Sequence, residues 1–168
     1  KYSINWKNPF IAYALVEGLI GLLGIVFHPV FTGATDMAYD TVIPAIGAGS
    51  GVSLFQWSLS AVLILPQSIL LGMTFPLMSA GIIRTFQQQS GHHLAMLYFT
   101  NSIGAATGVL FSGFVLISLV GLPGAIMTAG LMNILLAMFV WLLSKNILVP
   151  GLVEQAVQQQ TNGSAGER

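Results

Sequence analysis

Cysteine is absent from this sequence of 168 residues and charge is scarce: five Lys and Arg and five Asp and Glu, 6% of the chain. A soluble domain would have roughly a quarter of its residues charged. Without thiols there are no disulfides, no thiolate metal sites and no cysteine nucleophile. The basic residues are scattered and the net charge is zero, so the clustered basic face that nucleic acid requires is missing and that partner is excluded. No signal-peptide cleavage pattern is present, because the first apolar run is too long and ends without an A-x-A-like site. The chain starts at Lys1 rather than Met, as expected of a processed protein or a piece of a longer one. Residues that carry chemistry are equally sparse. The sequence assembles no Ser/His/Asp arrangement, metal-ligand cluster or paired carboxylates, so no catalytic residue, metal or cofactor is expected.

What the chain does have is apolar length. Hydrophobic residues make up 55% of it, and with so little charge this reads as an integral membrane protein. The stretch Leu94 to Val120, LAMLYFTNSIGAATGVLFSGFVLISLV, carries no charge at all. At about 1.5 Å rise per residue it crosses a hydrocarbon core about 30 Å thick with residues to spare. Within it Asn101, Gly104, Gly108 and Ser112 fall in an arc of about 80° on a helix. Lipid gives helices no hydrophobic reason to associate, so this stripe of small residues with one amide is expected to face another span.

The remaining spans follow from the same reading. Lys1 to Asn8 is a basic lead-in with Trp6 at interface depth. Pro9 then opens a first span over about 9–31, in a position where a helix tolerates proline. Glu17, Gly21, Gly24 and His28 lie within about 60° of one another, so the polar and small residues of this span share one face. Residues 32–50, TGATDMAYDTVIPAIGAGS, read as a loop with room for a short interfacial helix. The second span, about 52–83, is too long to stand upright and contains Pro66 and Pro76, each of which removes a backbone donor. A kinked or broken helix is expected there, with Gln56, Gln67, Ser68 and Thr74 turned inward or satisfying freed backbone groups. Arg84 to His93 reads as a polar loop, followed by the third span, 94–120, and a tight GLPG turn at 121–124. A fourth span, 125–143, holds Asn133 between Ala129 and Ala137, with Trp141 and Lys145 at its interface end. From 146 to 168 the chain is a polar tail or linker, too poor in apolar residues to fold alone.

The expected fold is therefore an all-α, polytopic transmembrane bundle of four spans. Lys1, Lys7, Arg84 and Lys145 all fall on one side of such an arrangement, and the loops on the other side carry no Lys or Arg. By the positive-inside bias both termini are expected to be cytoplasmic.

Several residues invite a functional reading against a plainer one. Glu17 is the most informative, since a carboxyl near mid-membrane costs a few kcal/mol on insertion scales. It reads either as a proton- or cation-binding carboxylate or as a glutamic acid hydrogen-bonded to a neighbouring helix. The spans offer no second acid to form a relay, which favours the latter. Asn101 and Asn133 are single amides on spans, best explained by interhelical hydrogen bonds of around 1 kcal/mol. His92 and His93 point about 100° apart on a helix and cannot share a metal unaided. His28 lies at the outer end of the first span, where a helix C-terminus or the interface accounts for it. The methionines fill gaps between packed helices. Asp36 and Asp40 form a solvated acidic surface. GAGSG, Gly47 to Gly51, matches a phosphate-binding glycine loop only superficially, because no strand precedes it and a span follows.

Three segments resemble a known family: LPQSILLGMTFPLM (Leu65 to Met78), LYFTNSIGAATGVLFSGFVLISLVGL (Leu97 to Leu122) and LMNILLAM (Leu131 to Met138). They are similar to the membrane domain of bacterial spermidine-synthase-like membrane proteins, in which a major-facilitator-like helical domain precedes a cytoplasmic aminopropyltransferase domain. The resemblance covers about residues 9–145. It implies a non-catalytic membrane domain or subunit of a bacterial inner membrane, serving anchoring, docking or assembly. Any aminopropyltransferase activity is expected in a domain that this sequence does not contain, and no catalytic residue carries over. The partners it implies are the lipid bilayer and either membrane-protein subunits or further spans of the same polypeptide. The alternative is a partial major-facilitator-like transporter bundle for polyamines, in which Glu17 meets an ammonium group.

Overall fold

The computed structural model describes residues 8–47, 49–86 and 90–145. The lead-in around Trp6, the glutamines at 87–89 and the tail from 146 lie outside the described residues. Among the described residues all regular structure is helical. Three helical stretches are long and apolar enough to cross a membrane: Pro9–Ile46, Ser50–Thr85 and Ser90–Leu143. The all-α class and the membrane-spanning character follow from these three.

Helix α1, Pro9–Met37, is started by Asn8, whose side-chain oxygen accepts a hydrogen bond from the Phe10 N–H at 3.1 Å. This satisfies one donor that a helix start leaves orphaned, and Pro9 removes another. The helix does not stop near residue 31. It continues to Met37, passes through a π-helical segment, Ala38–Val42, and ends in the short α2, Ile43–Ile46. Most of the segment expected as a loop is therefore helix. Two local features permit this. The Thr32 and Thr35 hydroxyls bond to the carbonyls of His28 and Phe31 one turn back, and Pro44 falls in the first turn of α2, where a missing N–H costs least. The break comes at Gly47 and Gly49, both at positive φ.

Helix α3, Ser50–Thr85, runs through Pro66 and Pro76 as one continuous element rather than a broken one. By helix geometry these prolines free the carbonyls of Val62 and Gly72. Helix α4, Ser90–Phe111, takes in His92 and His93 and α3 takes in Arg84 and Thr85, so the described part of the expected polar loop is helical except for Phe86. A second π-helical segment, Ser112–Leu116, leads into α5, Ile117–Leu143. Inside α5, Gly121 leaves the helical region at φ 71° and ψ 175°, within the GLPG sequence read as a turn. A side chain would be strained there, and Pro123 follows with its φ already set for the next helical turn.

The packing is centred on α1. Gly18 lies beside Ala137, Gly21 beside Ile134 and Gly130, and Gly24 beside Gly130 and Ile126, so α1 and α5 run antiparallel. Phe10 and Tyr13 share a small core with Leu77 of α3 and Val140 of α5. The C-terminal ends of α3 and α5 therefore meet the N-terminal end of α1. The Phe75 and Tyr98 rings pack in a tilted arrangement with centroids 4.5 Å apart, and Phe86 and His93 likewise at 4.4 Å, which pairs α4 antiparallel with α3. Beyond these contacts α3, α4 and the Ser112–Leu116 segment present large apolar side chains outward, among them Trp57 of α3 and Phe114 of that segment, both 77% exposed. Such surfaces suit acyl chains.

Candidate functional site

Helix α1 brings the Glu17 carboxyl into the interior. Glu17 is only 6% exposed, and Tyr13, one turn earlier on the same face, offers its hydroxyl as a hydrogen-bond partner. Phe10, Tyr13 and Ala14 bury the turns before it, and Ile20 the turn after. The inward face read from spacing is thus an inward face in space for Glu17, Gly21 and Gly24, whereas His28 at its outer end is exposed. Tyr13 was not anticipated, although its position four residues before Glu17 is a readable signal.

Gly21 and Gly24 meet a glycine that the spacing argument did not single out. A Cβ on Gly21 would come within 2.6 Å of the Gly130 carbonyl oxygen and of Ile134 Cγ1, and one on Gly130 within 2.9 Å of the Gly21 carbonyl oxygen. The two backbones are in direct contact, a close approach that only glycine allows. On α5 the buried positions are Ala125, Gly130, Ala137 and Val140, while Asn133 is half-buried and Ala129 exposed. A polar clamp closes one end of this interface. Asn8 Nδ2 donates to Ser144 Oγ at 3.0 Å, and Ser144 is wholly buried. Next to it Lys145 places its ammonium 4.1 Å from the Trp141 ring centroid, an arrangement suited to the interface.

The stripe on α4 has a different fate. Asn101, Gly104 and Gly108 are exposed and Ser112 is half-buried. A Cβ added to Gly104 or Gly108 would meet no atom within 4 Å. Neighbouring hydroxyls are satisfied by their own helix, as Thr100 bonds to the Met96 carbonyl, Ser102 to Tyr98 and Thr107 to Ile103. Asn101 has no such partner among the described residues. On α3, Gln56 is exposed and Gln67 half-buried.

Among the described residues no group of three His, Cys, Asp or Glu side chains could hold a metal ion. His92 and His93 stand edge to face with centroids 5.8 Å apart, and Asp36 and Asp40 are exposed. This arrangement can pack helices, hold one carboxyl away from bulk water and present an exposed amide at a helix surface. Compared with known protein families, curated proteins and solved structures, the chain gives no match.

Proposed function

We propose that this chain is a non-catalytic membrane module that anchors and docks other proteins in a bacterial inner membrane, with α4 as its docking helix. The observation that carries the reading is the contrast between the two small-residue seams. The seam on α1 is closed by α5, whereas on the α4 seam Gly104 and Gly108 meet no atom of the described residues and Asn101 is exposed without a hydrogen-bond partner among them. An unpaired amide in hydrocarbon is costly, and an interhelical partner removes that cost.

In this reading the chain crosses the membrane four times and both termini are cytoplasmic. Supporting it are the antiparallel pairs α1/α5, α1/α3 and α3/α4, together with the non-helical Gly121, where α5 would reverse direction. Arg84 and Lys145 then lie at the end marked by Asn8, in agreement with the positive-inside bias. The resemblance to spermidine-synthase-like membrane proteins makes an aminopropyltransferase domain, or a subunit carrying one, the proposed cargo.

The test is gentle detergent extraction of the chain from its native membrane, followed by intact-complex mass measurement with and without Gly104→Leu/Gly108→Leu. Docking through α4 predicts a stoichiometric complex that the double variant dissociates while still inserting into the membrane. A complex of unchanged mass in the variant, or a lone chain in both samples, would refute it.

A further inference from the structure

The seam on α4 points to the same side as the contact that α4 makes with α3. Leu94, Leu97, Asn101, Gly104, Gly108 and Ser112 share one arc of about 80° around the helix. This arc lies between His93 and Tyr98, whose rings both meet α3. On α3, Leu71, Ser68, Ile64, Ala61 and Trp57 all project within about 40° of Phe75, so they continue the side that meets Tyr98. Equal steps in opposite directions from the Phe75–Tyr98 pair set Asn101 level with Gly72, and Gly108 level with Leu65 beside Ile64.

Burial stops along both lines at the same level. Phe75 on α3 and Leu94 and Leu97 on α4 are half-buried, whereas Leu71, Ile64 and Trp57 on one helix and Asn101, Gly104 and Gly108 on the other are exposed. A Cβ added to Gly72, Gly104 or Gly108 would meet no atom of the described residues within 4 Å. The two helices therefore touch at the Asn8 end and leave their facing sides uncovered beyond it. The chain path keeps them so. Helix α4 starts against α3 but runs on through Ser112–Leu116 into α5, which is fixed on α1 by the contact of Gly21 with Gly130.

We infer that one transmembrane helix of the docked partner seats between these two sides, against α4 and α3 together. The inference rests on docking through α4 and adds α3 as a second wall, so the existing α3/α4 contact is the closed end of the same surface. From Tyr98 to Ser112 the open side is about 21 Å long, about four helical turns. A polypeptide in hydrocarbon must satisfy its own backbone, which makes the occupant a helix, and acyl chains offer the Asn101 amide no hydrogen bond. Gly104 and Gly108 admit the large side chains or the backbone of the incoming helix, whereas Leu71 and Ile64 project from the other wall and call for small residues opposite them. The partner helix accordingly carries a hydrogen-bonding group level with Asn101 and small residues toward α3.

The absence of native cysteine makes the test direct. Single cysteines replace Ile64 on the α3 wall and Gly108 on the α4 wall, and Ile69→Cys and Leu110→Cys serve as exposed controls that point away from the opening. Each variant is labelled with benzophenone maleimide, inserted into its native membrane and illuminated, and the cross-linked peptides are sequenced by mass spectrometry. A seated helix predicts that the probes at 64 and 108 attach to the same apolar segment of one other polypeptide, at sites within about two helical turns of each other. The controls should give lipid adducts and lose that peptide. Capture at 108 without capture at 64, or capture of two different segments, would overturn the two-walled seat while leaving docking through α4 intact. A link from 64 into residues 97–112 of the same chain would overturn it by showing that α3 and α4 cover each other. Protein adducts at neither position would overturn the seat and the docking reading together.

Discussion

Glycine at positions 21 and 130 is required by contact, whereas glycine at 104 and 108 is required by nothing inside the chain. The purified protein should show the difference. Gly21→Ala forces a methyl group against the Gly130 backbone and is expected to destabilise the fold by about 1–3 kcal/mol, the usual range for overpacking. Gly104→Ala should leave stability unchanged or raise it by up to about 1 kcal/mol through helix propensity. Denaturant titration in detergent micelles measures both, and a loss at Gly104 equal to that at Gly21 would show that the α4 seam is already occupied. The Asn8 side chain both caps α1 and holds Ser144. Asn8→Ala is accordingly expected to cost about 1–2 kcal/mol, more than Ser144→Ala, which removes only the acceptor. The inward position of Glu17 was legible because an acid, two glycines and a histidine recur at helical spacing. Gly130 was not, because the eye is drawn to Asn133, and one-dimensional spacing does not say which α5 residue meets which α1 residue. The Asn8–Ser144 pair joins opposite ends of the described chain and leaves no local trace in the sequence.

The helices themselves were readable from apolar length, but their ends were not. Acids, glycines and a proline at 32–50 suggested a loop, yet hydroxyls that bond back onto the helix and a proline in a first turn are compatible with helix, so the element extends to Ile46. Pro66 and Pro76 suggested a kinked or broken helix, and α3 runs through both without a break. Since an interior proline costs a helix about 3 kcal/mol relative to alanine, Pro66→Ala should stabilise α3 and slow exchange of its backbone amides. Faster exchange in that variant would mean that the proline is needed for packing against α1. The backbone departure at Gly121 falls within the GLPG sequence read as a turn, because a glycine at positive φ shortly before a proline is a local property. Gly121→Ala should destabilise the protein by about 1–2 kcal/mol, since a Cβ is strained in that conformation. An unchanged unfolding midpoint in this variant would show that the backbone does not hold that conformation in the membrane.

At the scale of the whole molecule, α1 packs against both α3 and α5, while among the described residues α4 packs against α3 and buries no residue of its own. Such a chain behaves as one finished interface joined to one unfinished interface. The claim at the centre of this account is that the Asn101 side of α4 is covered by another membrane protein in its native setting. It can be measured by attaching a nitroxide to a cysteine at Gly108 and recording its collision rate with oxygen, which concentrates in lipid. The purified chain reconstituted alone should report a lipid-exposed probe, and the same labelled chain reintroduced into its native membrane should report a shielded one. Equal lipid exposure in both settings would contradict the account.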